Sequence, residues 1–138
     1  MKVLDFLKGF GLLFLITIIT SCSDQNTNTG VEKNLIGTWS WVSSSGGIAG
    51  TTNSPASTGK NIDLKFTSDN KYFYYTNGVI SSQGTYKLST EKSIVDGTNK
   101  SSIVFSADGE RVIDKIDNTN LYLSDNYYDG FSSSYIRK

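Results

Sequence analysis

The chain contains no histidine and only one cysteine, one proline and one methionine in 138 residues, and each scarcity narrows what it can do. Without histidine it lacks the commonest general base, the usual partner of a serine or cysteine nucleophile, and the commonest metal ligand. Most hydrolase and zinc chemistry is thereby excluded, and no enzyme activity, metal or cofactor is expected. A lone thiol cannot close an intramolecular disulfide, so the fold must stand on packing alone. Net charge is lacking too, since 13 Lys plus Arg balance 13 Asp plus Glu. A chain so balanced has no electrostatic footprint for nucleic acid and no polybasic membrane patch.

Where the one cysteine stands is informative. Lys2 and Lys8 give a positive start, and the apolar run from Phe10 to Ile19 has the length of an export signal, well short of the roughly 20 apolar residues that span a bilayer. The run ends in Ile19-Thr20-Ser21-Cys22. Small residues before the cut let an extended backbone enter a peptidase, and only a thiolate serves as the nucleophile that accepts a diacylglyceryl group. This segment resembles the lipobox of bacterial lipoproteins, with Ile19 where Leu is usual. The expectation is a signal peptide over 1–21 and lipid on Cys22. The resemblance implies several acyl chains, each buried CH₂ contributing about 0.8 kcal/mol, and therefore a stable membrane anchor. The following polar stretch, Ser23 to Gly30, has no aliphatic residue and reads, with residues to 34, as a flexible tether over 22–34. Localisation in the outer membrane follows from the same resemblance, with the periplasmic side and the cell surface both open.

Residues 35–138 read as one all-β domain, roughly 100 residues being enough to bury a core. Ile62, Leu64 and Phe66 alternate with Asp63 and Lys65, the period of a half-buried strand. Trp39 and Trp41 alternate likewise. Further strands are expected over Lys71 to Thr76, Ile80 to Leu88, Lys92 to Val95, Ser101 to Phe105, Arg111 to Ile116, Leu121 to Asp125 and Phe131 to Ile136. Asn77-Gly78, Asp96-Gly97 and Asp108-Gly109 supply the positive φ that tight hairpins require. No sustained helical stripe is visible, and Ser43 to Gly59 reads as a long irregular segment. Short antiparallel strands in hairpin sequence suit an up-and-down barrel of about eight strands, or a small β-sandwich.

A family resemblance favours the barrel. Gly37-Thr38-Trp39 resembles the Gly-x-Trp signature that opens lipocalin-type barrels. Asp63-Leu64-Lys65-Phe66-Thr67, Gly84-Thr85-Tyr86-Lys87-Leu88 and Leu121-Tyr122-Leu123-Ser124 are similar to strand motifs of short lipocalin-like lipoproteins of the Bacteroidetes type. The resemblance implies noncovalent binding of a small apolar or amphipathic ligand between the barrel walls. The alternative is a filled barrel whose loops contact an envelope protein or glycan.

With eight Tyr, seven Phe and two Trp, aromatics dominate the candidate site. Trp41, Phe66, Tyr72, Tyr74 and Tyr86 share inward parity and are the expected ligand-lining residues, where apolar walls bury a ligand and phenols orient it. The competing reading is that such rings form the core and pair across strands. Gly59-Lys60 lacks the flanking residues and following helix of a phosphate loop. Asp125 to Gly130 gathers oxygens near a glycine without the spacing of a calcium loop, and a hairpin turn is the better reading. Among the carboxylates, Asp114 shares parity with Val112 and Ile116 and is expected to point inward.

Overall fold

The computed structural model describes residues 26–138. The expected signal over 1–21, the lipid attachment at Cys22 and the first four tether residues lie outside the described residues. Helix α1 spans Asn26–Leu35, followed by β1 (Gly37–Gly46), β2 (Thr51–Asn53), α2 (Pro55–Thr58), β3 (Ile62–Phe66), β4 (Lys71–Thr76), β5 (Val79–Lys92), β6 (Asn99–Phe105), β7 (Gly109–Ile116), β8 (Asn120–Ser124) and β9 (Ser132–Arg137).

All strand pairings are antiparallel, and β1 pairs with β9 as well as with β3. That second pairing closes the sheet. The protein is an eight-strand antiparallel barrel with β2 as one extra strand on the end of β1, and closure excludes the sandwich. The long β5 exchanges partners at its middle: Val79 to Thr85 pair with β4, and Tyr86 to Lys92 pair with β6. A single strand therefore spans the interval read in the sequence as two strands, and the residues after Lys92 turn back toward β6 instead of forming Lys92 to Val95.

Because consecutive barrel strands alternate in direction, the turns gather at two ends. One end is sealed. Leu35 and Trp39 are fully buried there, and Val31 packs on the same core. The Trp39 indole Nε1 donates to the Leu35 carbonyl at 2.8 Å. The Arg137 guanidinium lies 4.2 Å above the Trp39 ring and donates to the carbonyls of Asn34, Ile36 and Asn118. Gly37 makes room for this fork: its φ is 137°, and a Cβ there would stand 2.5 Å from Arg137 Nη1.

Three expectations need correcting. Residues 26–34 of the presumed tether are helical, because Val31 and Leu35, one turn apart, bury one side of α1 on the barrel end; a ten-residue helix gains most of its stability from such packing. Ser43 to Gly59 is ordered into the end of β1, β2 and α2, the last capped by a reciprocal Ser54/Ser57 box and by Gly59 in the left-handed conformation. Asp114 points to solvent, because Arg111 and Ile113 take the inner face of β7 and leave Val112 and Asp114 on the outer one, the register shift between Ile113 and Lys115 then returning Ile116 to the core; its carboxylate meets Lys100 Nζ at 3.0 Å.

Candidate functional site

Inside the barrel the aromatic residues divide into two groups. Alternation in β4 turns Tyr72, Tyr74 and Thr76 inward, facing β3 residues Phe66, Leu64 and Ile62 across the ladder. Phe66 packs edge-to-face on Tyr86 with ring centroids 5.0 Å apart, and Phe105 meets Tyr72 at 4.7 Å. Offset and edge-on contacts of this kind add about 0.5–1.5 kcal/mol each beyond area burial. Phe66, Tyr72 and Tyr86 thus form a packed plug across the middle of the barrel. Tyr86 sends its hydroxyl to the Thr67 carbonyl at 3.2 Å, toward the sealed end.

Above the plug the interior opens into a cavity of about 430 Å³. Trp41 and Tyr74 line it, so of the five expected residues these two face the open volume. Its other walls are Ile62, Thr76, Tyr135 and a set of polar side chains that sequence parity had not singled out: Ser44, Ser81, Ser82, Asp108, Arg111 and Ser133. Two register shifts bring the serines there. The irregularity between Trp41 and Ser43 in β1 turns Ser44 onto the inner face opposite Ser133, and that between Tyr74 and Tyr75 in the β4–β5 ladder leaves Ser81 without a register partner beside Ser82.

The polar groups are joined into networks. Trp41 Nε1 donates to Ser44 Oγ at 2.8 Å, and Ser44 Oγ lies 2.7 Å from Ser133 Oγ. The Tyr135 and Tyr74 phenols line the same cavity beside Ser133. On the opposite wall Asp108 Oδ2 accepts from the Tyr72 hydroxyl at 2.5 Å and from Ser82 Oγ at 2.6 Å. Arg111 Nη1 is 2.7 Å from Asp125 Oδ1. The other oxygen of Asp125 accepts from the Tyr127 hydroxyl and the Phe131 amide, so this turn spends the carboxylate on internal bonds. Among the described residues no group of three or more His, Cys, Asp or Glu is arranged to hold a metal ion.

Burial raises the Tyr74 phenol well above its ordinary pKa, and burial raises Tyr135 despite the opposing Arg111 charge. Burial also raises Tyr72, with its bond to the Asp108 carboxylate acting in the same direction. These phenols stay protonated at neutral pH and serve as hydrogen-bond donors, not as bases.

Comparison with family models, with curated proteins and with solved structures gives no match for this chain. The cavity must be interpreted from its own chemistry. Arg111 was legible in principle: it shares parity with the buried Ile113 and pairs in register with the buried Ile103. Asp108 gave no such signal, because it stands in the β6–β7 turn, outside any alternating run.

Proposed function

We propose that this is a lipid-anchored protein of the cell envelope whose barrel binds a small amphipathic molecule noncovalently, with no bond made or broken. The observation that carries the reading is the mouth cavity, whose 430 Å³ falls within the range of about 300–1,000 Å³ typical of small-molecule sites. Its lining combines the indole of Trp41 and the ring of Tyr74 with a few fixed polar groups, the combination that buries one part of a ligand while orienting another. The lipobox-like segment ending in Cys22, and the resemblance to short lipocalin-like lipoproteins, support the outer-membrane anchor and the binding role.

Two measurements test the proposal. Mass spectrometry of protein purified from its own membrane should find a diacylglyceryl-modified Cys22 as the first residue; an unmodified thiol or an intact Met1 would refute the anchor. Native mass spectrometry of the same preparation should retain a small organic molecule that Tyr74→Ala releases. A barrel that carries nothing, and whose tryptophan fluorescence is indifferent to envelope lipid extracts, would refute the binding role.

A second reading, a surface that contacts another envelope protein or glycan, is favoured by the residues around the mouth. Ile48 and Val79 are 95% and 71% exposed there, and the chain from Asn34 to Gly59 carries no charged residue. Chemical cross-linking through a cysteine placed at Ile48 distinguishes it, since a ligand-only barrel would yield no specific adduct.

A further inference from the structure

Resting on the ligand-binding reading above, we propose that the cavity selects an amphiphile whose head is an uncharged hydrogen-bond acceptor, such as an amide or ester carbonyl, received by Arg111 and the Tyr74–Tyr135 phenol pair. The argument is an inventory of donors. Trp41, Ser44 and Ser133 form one run in which each neighbouring pair shares a single bond, and the Tyr135 and Tyr74 phenols on the same lining add two further donors. The indole N–H can only donate, and each hydroxyl carries one hydrogen. Such a run holds one more hydrogen than it has links, so one hydroxyl hydrogen is left for a group inside the cavity. Arg111 adds to the surplus, because its planar fork carries five N–H donors and its ion pair among the described residues is with Asp125 alone. A partly buried donor left without an acceptor is costly, and a ligand that supplies one is favoured.

Charge decides which acceptor. The Arg111 cation is already balanced by Asp125, and Asp108 places a second carboxylate on the cavity wall. A carboxylate or phosphate head would add another negative charge, in a partly desolvated space, without a free cation to meet it. A cationic head would find the Asp108 oxygen already accepting from Tyr72 and Ser82 and would face the Arg111 charge across the cavity. A neutral carbonyl uses the spare donors and meets neither objection. Burial holds both phenols in the donor state across the physiological range.

A matched series with one tail tests this: octanamide, octanoate and octylammonium titrated at pH 7 by isothermal calorimetry against the full mature chain in nanodiscs, with empty nanodiscs subtracted. Octanamide should bind at least about tenfold more tightly than either charged analogue. Tyr135→Phe and Tyr74→Phe, checked for folding by circular dichroism, should each weaken octanamide about five- to tenfold, the worth of one neutral hydrogen bond, and leave octanoate unchanged. Equal binding of all three heads, unaffected by the Phe variants, would overturn the inference while leaving a tail-binding barrel. Tightest binding of octanoate or of octylammonium would overturn it in favour of Arg111 or Asp108 as a charge-reading group. No binding of any member would overturn the inference, and native mass spectrometry showing no retained ligand would separately overturn the binding role itself.

Discussion

Replacing Arg137 with Ala should cost this barrel about 3 kcal/mol of stability. The side chain ties three chain segments together: its Nε donates to Asn118 at 2.7 Å, Nη1 donates to Ile36 at 2.8 Å, and Nη2 donates to Asn34, while its carbon centre sits 4.2 Å above Trp39. A hydrogen bond from a charged donor contributes about 1.5–3 kcal/mol when buried. Asn118 is exposed and Asn34 and Ile36 half-buried, so water can replace much of what these carbonyls lose, and roughly 0.7–1 kcal/mol for each bond is the appropriate magnitude. The cation–π contact adds about 0.5–1 kcal/mol at a partly exposed site.

For a barrel of this size a loss of that magnitude lowers Tm by about 12–20 °C. Arg137→Lys keeps the positive charge but cannot reach three carbonyls from one nitrogen, so it should recover less than half of the loss. Urea unfolding followed by far-ultraviolet circular dichroism measures both variants, and an unchanged denaturant slope would show that the native and unfolded surfaces are otherwise the same. Hydrogen exchange should show α1 amides opening before the strands. A loss below 0.5 kcal/mol for Arg137→Ala would refute the view that this fork seals the barrel end.

Gly37→Ala should destabilise by at least about 1 kcal/mol, because an alanine must hold φ near 137° and displace the Arg137 fork; thermal melts of the single variant and of the Gly37→Ala/Arg137→Ala pair should show losses that fail to add. Asp114→Asn should change stability by less than about 0.5 kcal/mol, as expected of a solvent-facing ion pair, whereas an inward carboxylate would have given a larger effect. In spectrophotometric titration Tyr74 and Tyr135 should ionise only as the barrel unfolds. Their folded pKa values are raised, chiefly by burial, so the folded state holds more protons than the unfolded chain and stability is lost as pH climbs above about 10, the unfolded phenol value. Normal titration of every phenol with the fold intact would contradict their burial. Trp41→Ala should reduce affinity for octanamide at least about tenfold, read by calorimetry on protein shown by circular dichroism to be folded, since Trp41 is also a buried member of the core.

The barrel was legible because its evidence is local. The period-two run Ile62 to Phe66 and the aromatic run Lys71 to Thr76 coincide with β3 and β4, and the Asn77-Gly78 and Asp108-Gly109 turns adopt the positive φ their residues suggest. What escaped was whatever depends on a broken count. One extra residue in a ladder reverses the facing of everything beyond it, which is why Val112 and Ile116 lie on opposite faces, with Asp114 outward beside Val112, and why Ser44 and Ser81 reach the cavity. Helix α1 escaped because its apolar stripe is only Val31 and Leu35, too short to register as a period. The candidate site was half legible for a related reason. Parity identifies inward residues, but it cannot tell a ring packed in the plug, such as Phe66, from one facing open volume, such as Tyr74, because that depends on how far along the barrel axis each residue falls.

Position along that axis also explains how one barrel can be packed at one end and hollow at the other. At the sealed end, Trp39, Arg137 and Leu35 satisfy one another, and in the middle Phe66, Tyr72, Tyr86 and Phe105 fill the bore ring against ring. At the mouth the inward positions change character, from Phe66 to Ile62 in β3, from Tyr72 to Thr76 in β4, and to Ser44, Ser82 and Ser133 on the neighbouring strands, so several inward side chains become smaller or more polar around the cavity. β5 links the two regimes, since its Tyr86 to Lys92 half is laddered to β6 while its Val79 to Thr85 half is laddered to β4, meets the β6–β7 turn only through Thr85–Ser106 and Ser82–Asp108, and borders the cavity through Ser81 and Ser82. Strand residues paired on one side only open at lower free energy than those paired on both. Any widening of the mouth needed to admit a ligand therefore falls to the tip of the β4–β5 hairpin around Asn77 and Gly78, because Tyr72 and Tyr86, farther along the same strands, are held in the aromatic plug.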